Sequence, residues 1–102
     1  MARSRADELR RGGTAVEWRL NASGYDLMRA GASEDAVAVF RLITQLFPDA
    51  WNGWDSLASG LASLGHRQEA IAAYRRSLSL NGYNENARRE LRLLALAGQE
   101  GR

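Results

Sequence analysis

His66 is the one histidine in the sequence, and it follows Gly65 directly. A histidine works as a general base when a hydroxyl or thiol nucleophile lies within hydrogen-bond reach. Nothing in the sequence pairs His66 with such a group, and it reads as an exposed turn residue. The chain has no cysteine, which excludes disulfides, thiolate metal sites and thiol nucleophiles. The acids are scattered singly and read as helix caps or solvated faces; Asp35 and Glu69 take helix-face positions. No catalytic residue, metal site or cofactor is therefore expected, and the chain does not read as an enzyme.

The remaining chemistry is that of binding. Trp18, Tyr25 and Met28 recur at helical spacing, and aromatic anchors carry much of an interface's energy once desolvated. All fourteen basic residues are arginine, yet the net charge is only +2, too small to argue for nucleic acid. Arg88, Arg89 and Arg92 have Glu85 and Glu90 for company, which fits a solvated face. Arg11-Gly12-Gly13 is a lone triplet and reads as a linker.

The apolar fraction of 45% and charged fraction of 25% are those of an ordinary soluble domain. A chain of 102 residues buries only about 60–65% of the surface its unfolded form exposes, so its core is thin. No apolar run approaches the roughly 20 residues of a membrane span. The charged N-terminus lacks the apolar centre of a secretory signal. A cytoplasmic location is the expectation.

The elements that position these residues are set by their stops. Gly31, Gly65 and Gly98 each follow an apolar-periodic segment, where glycine supplies a left-handed residue. Pro48 forbids continuation of the helix before it. Helices are predicted from Thr14 to about Ala30, Ser33 to Leu46, Ala50 to Leu64, Arg67 to Leu80, and after Asn84 to about Ala97. Thr14 with Glu17 has the capping-box spacing; Ser33, Asp49 and Asn84 are candidate caps. A weaker box at Ser4 and Asp7 precedes a short, frayed segment over 1–13. The main domain is placed at 14–98 and a disordered tail at 99–102. No segment alternates as a strand does, so the fold class is all-α.

"DAVAVF" at Asp35–Phe40 returns as "EAIAAY" at Glu69–Tyr74, 34 residues later. A 34-residue period of two helices is the signature of the tetratricopeptide repeat. Residues 16–97 resemble that family. Trp54, Leu57, Ala58, Leu61, Gly65, Ala70, Tyr74 and Ser77 match its signature in the second unit; Leu20, Gly24, Leu27, Gly31, Ala36, Phe40 and Pro48 match it in the first. Gly24 and Ala58 are small where two helices of a hairpin cross, and Phe40 and Tyr74 fill the space between. Gly82 replaces the usual proline, which implies a looser turn. The resemblance implies a helical-hairpin solenoid of two full repeats plus a C-terminal capping helix. The stretch from Arg19 to Gly65 is also similar to the repeat module at the C-terminal end of some bacterial serine hydrolases related to β-lactamases. No activity is carried over from that similarity.

In the family, the first helices of successive hairpins line a concave groove. The resemblance places Trp18, Asn21, Tyr25, Met28 and Arg29 there from the first layer, Asn52, Asp55, Ser56 and Ser59 from the second, and Arg89, Leu93 and Leu96 from the last helix. The implied function is non-enzymatic binding of a peptide or protein partner. The clamp by which some members hold a C-terminal carboxylate does not map: Asn21, Tyr25 and Glu90 stand where Lys, Asn and Arg are required. The alternative is a self-associating module. "LRLLALAG" carries four leucines, and Leu93 and Leu96 lie off the Leu91/Leu94 stripe, so a symmetric homodimer through the last helix or the groove is the second expectation. Nucleic acid and membrane partners are not expected.

Overall fold

In the computed structural model, which describes residues 14–100, Gly31 and Gly65 adopt φ of 82° and 78°. Each ends a helix with paired bonds. The amide of Ala32 reaches back to Leu27 O and that of Gly31 to Met28 O, and His66 to Leu61 and Gly65 to Ala62 repeat the arrangement. This is the Schellman ending, which needs a left-handed residue that glycine adopts without penalty. Five helices result: α1 (Thr14–Arg29), α2 (Ser33–Leu46), α3 (Trp51–Ser63), α4 (Arg67–Leu80) and α5 (Glu85–Glu100). There is no strand among the described residues. Consecutive helices pack on one another, and the stack is an all-α helical-repeat solenoid of two hairpins and a final helix. The expected Ser4/Asp7 box and the linker at Gly12-Gly13 lie outside the described residues. No described helix is long and apolar enough to cross a membrane.

Three boundaries differ from expectation. Ser33 is the first helical residue and Ala32 its N-cap, with no side-chain capping bond; the Ser33 hydroxyl meets that of Ser63 at 3.0 Å instead. Asp49 does not cap α3 either. The amide of Ala50 turns back to Phe47 O at 3.1 Å, so Ala50 becomes the N-cap and Asp49 points outward one residue early. Gly98 is no stop, because α5 continues to Glu100. Its missing side chain serves close approach: a Cβ there would collide with the Arg67 guanidinium, whose Nε donates to Leu94 O at 2.8 Å. Asn84 does cap α5, accepting from the Ala87 amide at 3.1 Å.

The turn at Gly82 is braced despite lacking proline. Asn81 Oδ1 accepts from the Tyr83 amide at 3.1 Å, and Arg88 donates to Gly82 O at 2.6 Å.

Phe40, Ile43, Ala36, Ala58, Ala70 and Ala87 are fully buried. The Phe40 ring fills the crossing of α1 and α2, so closely that a Cβ on Gly24 would overlap it. From the next unit Gly60 approaches the same ring, where an added Cβ would lie 2.9 Å from Val37 and 3.2 Å from Phe40. Tyr74, 34 residues on, is likewise buried, as is Ala58. Trp54 anchors the second unit through its indole N–H on Pro48 O at 2.9 Å, whereas Trp51 stays 38% exposed.

Leucine at Ala36 or Ala70 has no room at these sites. Each substitution is expected to cost about 1–3 kcal/mol by overpacking, read as a lower midpoint in thermal or urea denaturation. Parent-like melting of both variants would mean that the helix approach lies elsewhere.

Candidate binding groove

The first helices of the hairpins, α1 and α3, and the final helix α5 stand side by side, and a shift of 34 residues carries each onto the next. Along these three helices this shift produces matched rows. Asn21, Asp55 and Arg89 form one; Tyr25, Ser59 and Leu93 a second; Met28, Ala62 and Leu96 a third.

The polar rows are tied together. Asn21 accepts from the Ser56 hydroxyl, joining α1 to α3. Asp55 accepts from Asn84 at 3.0 Å and from Asn86 through both carboxylate oxygens at 3.2 Å, joining α3 to α5. Asn86 in turn accepts from Arg89 at 2.8 Å. Behind this edge Asn84 also donates to Ser77 Oγ at 2.9 Å, and Ser77 donates to Trp51 O at 2.9 Å. The chain of bonds leaves no buried side-chain nitrogen or oxygen without a partner among the described residues.

Ser56, expected to face a ligand, is only 1% exposed. It lies where α1 presses on α3, and its hydroxyl is spent on Asn21 inside that contact. Small polar residues in a first helix were the signal for an open floor; the tight packing of that helix between two others closes it at this point. Ser59 is half-buried and shares a hydrogen bond of 3.1 Å with the Tyr74 hydroxyl. Burial pushes the Tyr74 hydroxyl up to about 12; the bond to Ser59 works against the rise, and the nearby negative charges of Glu90 and Asp55 add to it. Ser59 and Tyr74 therefore form an uncharged hydroxyl pair between α3 and α4.

The apolar rows behave differently. Tyr25 and Met28 are half-buried, and the Tyr25 ring lies tilted on Phe40 with centroids 5.1 Å apart. Leu93 and Leu96 are 51% and 53% exposed, while Leu91 and Leu94 pack on the core. The separation of the two leucine pairs matches the expectation. Trp18 is 70% exposed at the edge of α1. Arg29 is exposed and pairs with Asp26, and Asn52 is half-buried on α3.

His66 is exposed, with Nδ1 3.7 Å from Glu69. No group of three or more metal-ligating side chains gathers among the described residues. On the other side of the stack a cleft of about 240 Å³ runs beside Trp54, Leu57 and Leu61. The Arg41–Glu69 ion pair, 2.9 Å long, links α2 to α4 at its rim.

No family model matches the chain, and no curated protein matches it. The similarity to the hydrolase-linked repeat module gains no support from either. Among solved structures the chain is similar to the crystal structure of MamA, a tetratricopeptide-repeat protein, with a TM-score of 0.75 and 21% identity over 98% of this chain and 68% of that one. At this identity the likeness is one of fold, and it accords with the two-hairpin solenoid.

Proposed function

We propose that the protein is a non-enzymatic interaction module that holds a peptide or protein segment in the concave groove of α1, α3 and α5. One observation carries the reading: apolar side chains on the two outer helices, Tyr25 and Met28 on one side and Leu93 and Leu96 on the other, flank a floor of Ser59 and Ala62. First helices pack about 8–10 Å apart, so two such steps leave room over α3 for one further segment, helix or extended chain. Apolar anchors along it meet the walls, and its backbone lies over small residues, in the manner of helix-in-groove recognition.

The polar edge supports the same reading by being rigid. Its donors and acceptors are already bonded within the fold, so binding costs little ordering there. Glu90 and Asp55 on that edge disfavour a carboxylate ligand.

Selection of binding peptides from a displayed library tests the proposal. Leu93→Glu with Leu96→Glu is expected to weaken any selected peptide by about thirtyfold or more, the size of a lost hot spot. Both leucines are more than half exposed, so thermal stability should stay at the parent value. Failure to select any peptide, or selected peptides that bind the double variant equally well, would overturn the reading.

A further inference from the structure

Two Asn-Gly pairs occur in the chain, Asn52-Gly53 and Asn81-Gly82. The pair has a chemistry of its own. A backbone nitrogen can attack the carboxamide carbon of the asparagine before it, and glycine, lacking a Cβ, hinders that attack least. The two pairs stand in opposite settings. Asn52-Gly53 lies inside α3, where Gly53 is buried and a Cβ on it would lie 2.8 Å from Ile43. Attack there would require the first turn of α3 to unwind. Asn81-Gly82 lies in the turn after α4. Gly82 is exposed, and open space surrounds the position of its absent Cβ.

The turn does more than leave this second pair accessible. Asn81 is extended, with φ of −141° and ψ of 94°, and its Oδ1 accepts from the Tyr83 amide at 3.1 Å. The ring closed by that bond runs from Oδ1 through Cγ, Cβ and Cα to the Gly82 nitrogen and on to Tyr83. The carboxamide is thus folded over Gly82. The Tyr83 N–H also sits on the oxygen that becomes negative when Cγ is attacked, the placement that stabilises a tetrahedral intermediate. The nucleophile is favoured as well. When the Gly82 nitrogen loses its proton, the charge spreads to Asn81 O, which accepts from the Asn84 amide at 3.1 Å. The Arg88 guanidinium, bonded to Gly82 O at 2.6 Å, sets a positive charge nearby, and an opposite charge favours the ionised form.

We propose that Asn81-Gly82 is a site of spontaneous backbone rearrangement whose conversion loosens the docking of α5. The deprotonated Gly82 nitrogen forms a bond to Asn81 Cγ, and the Cγ–Nδ2 bond breaks. The proton lost by Gly82 returns through solvent to Nδ2, which leaves as ammonia, and a succinimide ring remains. Water then opens the ring at either carbonyl. Opening at Cγ leaves aspartate; opening at the main-chain carbonyl leaves isoaspartate, whose backbone runs through Cβ. Isoaspartate lengthens the main chain between Ser77 and Asn84. Asn81 is held on both sides of that point, by its amide on Ser77 O at 2.9 Å and by its carbonyl on the Asn84 amide. Asn84 in turn caps α5 and ties it to Ser77 and Asp55. The longer backbone breaks this register and displaces the cap. Either product also sets a carboxylate at the C-terminal end of α4, where the helix dipole disfavours it.

Incubation of the folded chain at physiological temperature and mildly alkaline pH, followed by tryptic digestion and mass spectrometry, tests this. Trypsin separates the pairs: Asn81 falls in the peptide Ser77–Arg88 and Asn52 in Leu42–Arg67. With time the first peptide is expected to gain the mass difference of an amide exchanged for a hydroxyl, assigned to Asn81 by fragmentation. It should also become a substrate for an isoaspartate-specific methyltransferase. Conversion should be no slower than in a synthetic peptide of the same sequence, while Asn52 stays intact in the folded chain. Gly82→Pro removes the attacking N–H and should abolish the gain. Asn81→Gln, which would have to close a larger ring, should stay intact too. Hydrogen exchange on the aged parent should show protection lost over Glu85–Gly98 with α2 unchanged. Asn81 still intact when the synthetic peptide has converted, equal conversion of Asn52, or a gain that persists in Gly82→Pro would overturn the site. An aged chain with parent-like exchange over α5 would overturn its link to docking.

Discussion

Phe40→Ala is expected to cost about 3–5 kcal/mol, the range for removing a buried phenylalanine. The high end applies here because collapse around the cavity is blocked. The ring is fully buried, and two of the walls that face it are glycine backbone: Gly24 from α1 and Gly60 from α3. Backbone of packed helices cannot lean into a void as a leucine side chain can. The same ring also supports Tyr25, so that side chain loses its backing. A domain of this size commonly holds about 5–15 kcal/mol in all, and the variant should lose a large part of it. Urea unfolding followed by circular dichroism measures the loss. A drop below about 1 kcal/mol would mean that the crossing of α1 and α2 can close without its ring.

Asn84→Ala should detach the last helix. Asn84 is 6% exposed and its side chain joins three groups: its Oδ1 caps the Ala87 amide, and its Nδ2 reaches Asp55 and Ser77, whose hydroxyl in turn holds Trp51 O. Loss of an N-cap costs roughly 0.5–2 kcal/mol. A buried acceptor left without its donor adds about 1–3 kcal/mol. A combined effect near 2–4 kcal/mol falls on the junction between α4 and α5, with the first hairpin outside it. Amide hydrogen exchange is the discriminating measurement. Protection should fall over Glu85–Gly98 while α2 keeps the parent pattern. Uniform loss along the whole chain would show instead that α5 and the hairpins open together.

Much of this architecture is legible in the sequence, for a physical reason. Ala36 and Ala70 must be small where helices approach, Gly31 and Gly65 must be left-handed, and both demands recur at one period. What escaped the reading depends on contacts that no period encodes. Ser33 and Asp49 have the chemistry of caps, yet tight backbone turns shift each N-cap by one residue. Ser56 is polar and small, the profile of an open surface, but its neighbours on α1 close over it. Asn84 was recognisable as a cap; its second role needs Asp55, which only the packing of α3 on α5 brings to it. The rows that join Leu93 to Tyr25 and Leu96 to Met28 follow from the same 34-residue arithmetic as the core.

The helices of this stack pack chiefly on their neighbours in sequence, α1 on α2, α2 on α3, α3 on α4 and α4 on α5. Such a chain closes only short loops as it folds. Loop closure between distant segments is what slows sheet-rich domains, and helical proteins with local contacts reach the native state in microseconds to milliseconds. Because each hairpin leans on the next, order can begin in either unit and spread along the axis. A newly made chain can therefore settle α1 to α3 before the residues of α5 have left the ribosome, and α5 docks onto a stack that is already formed.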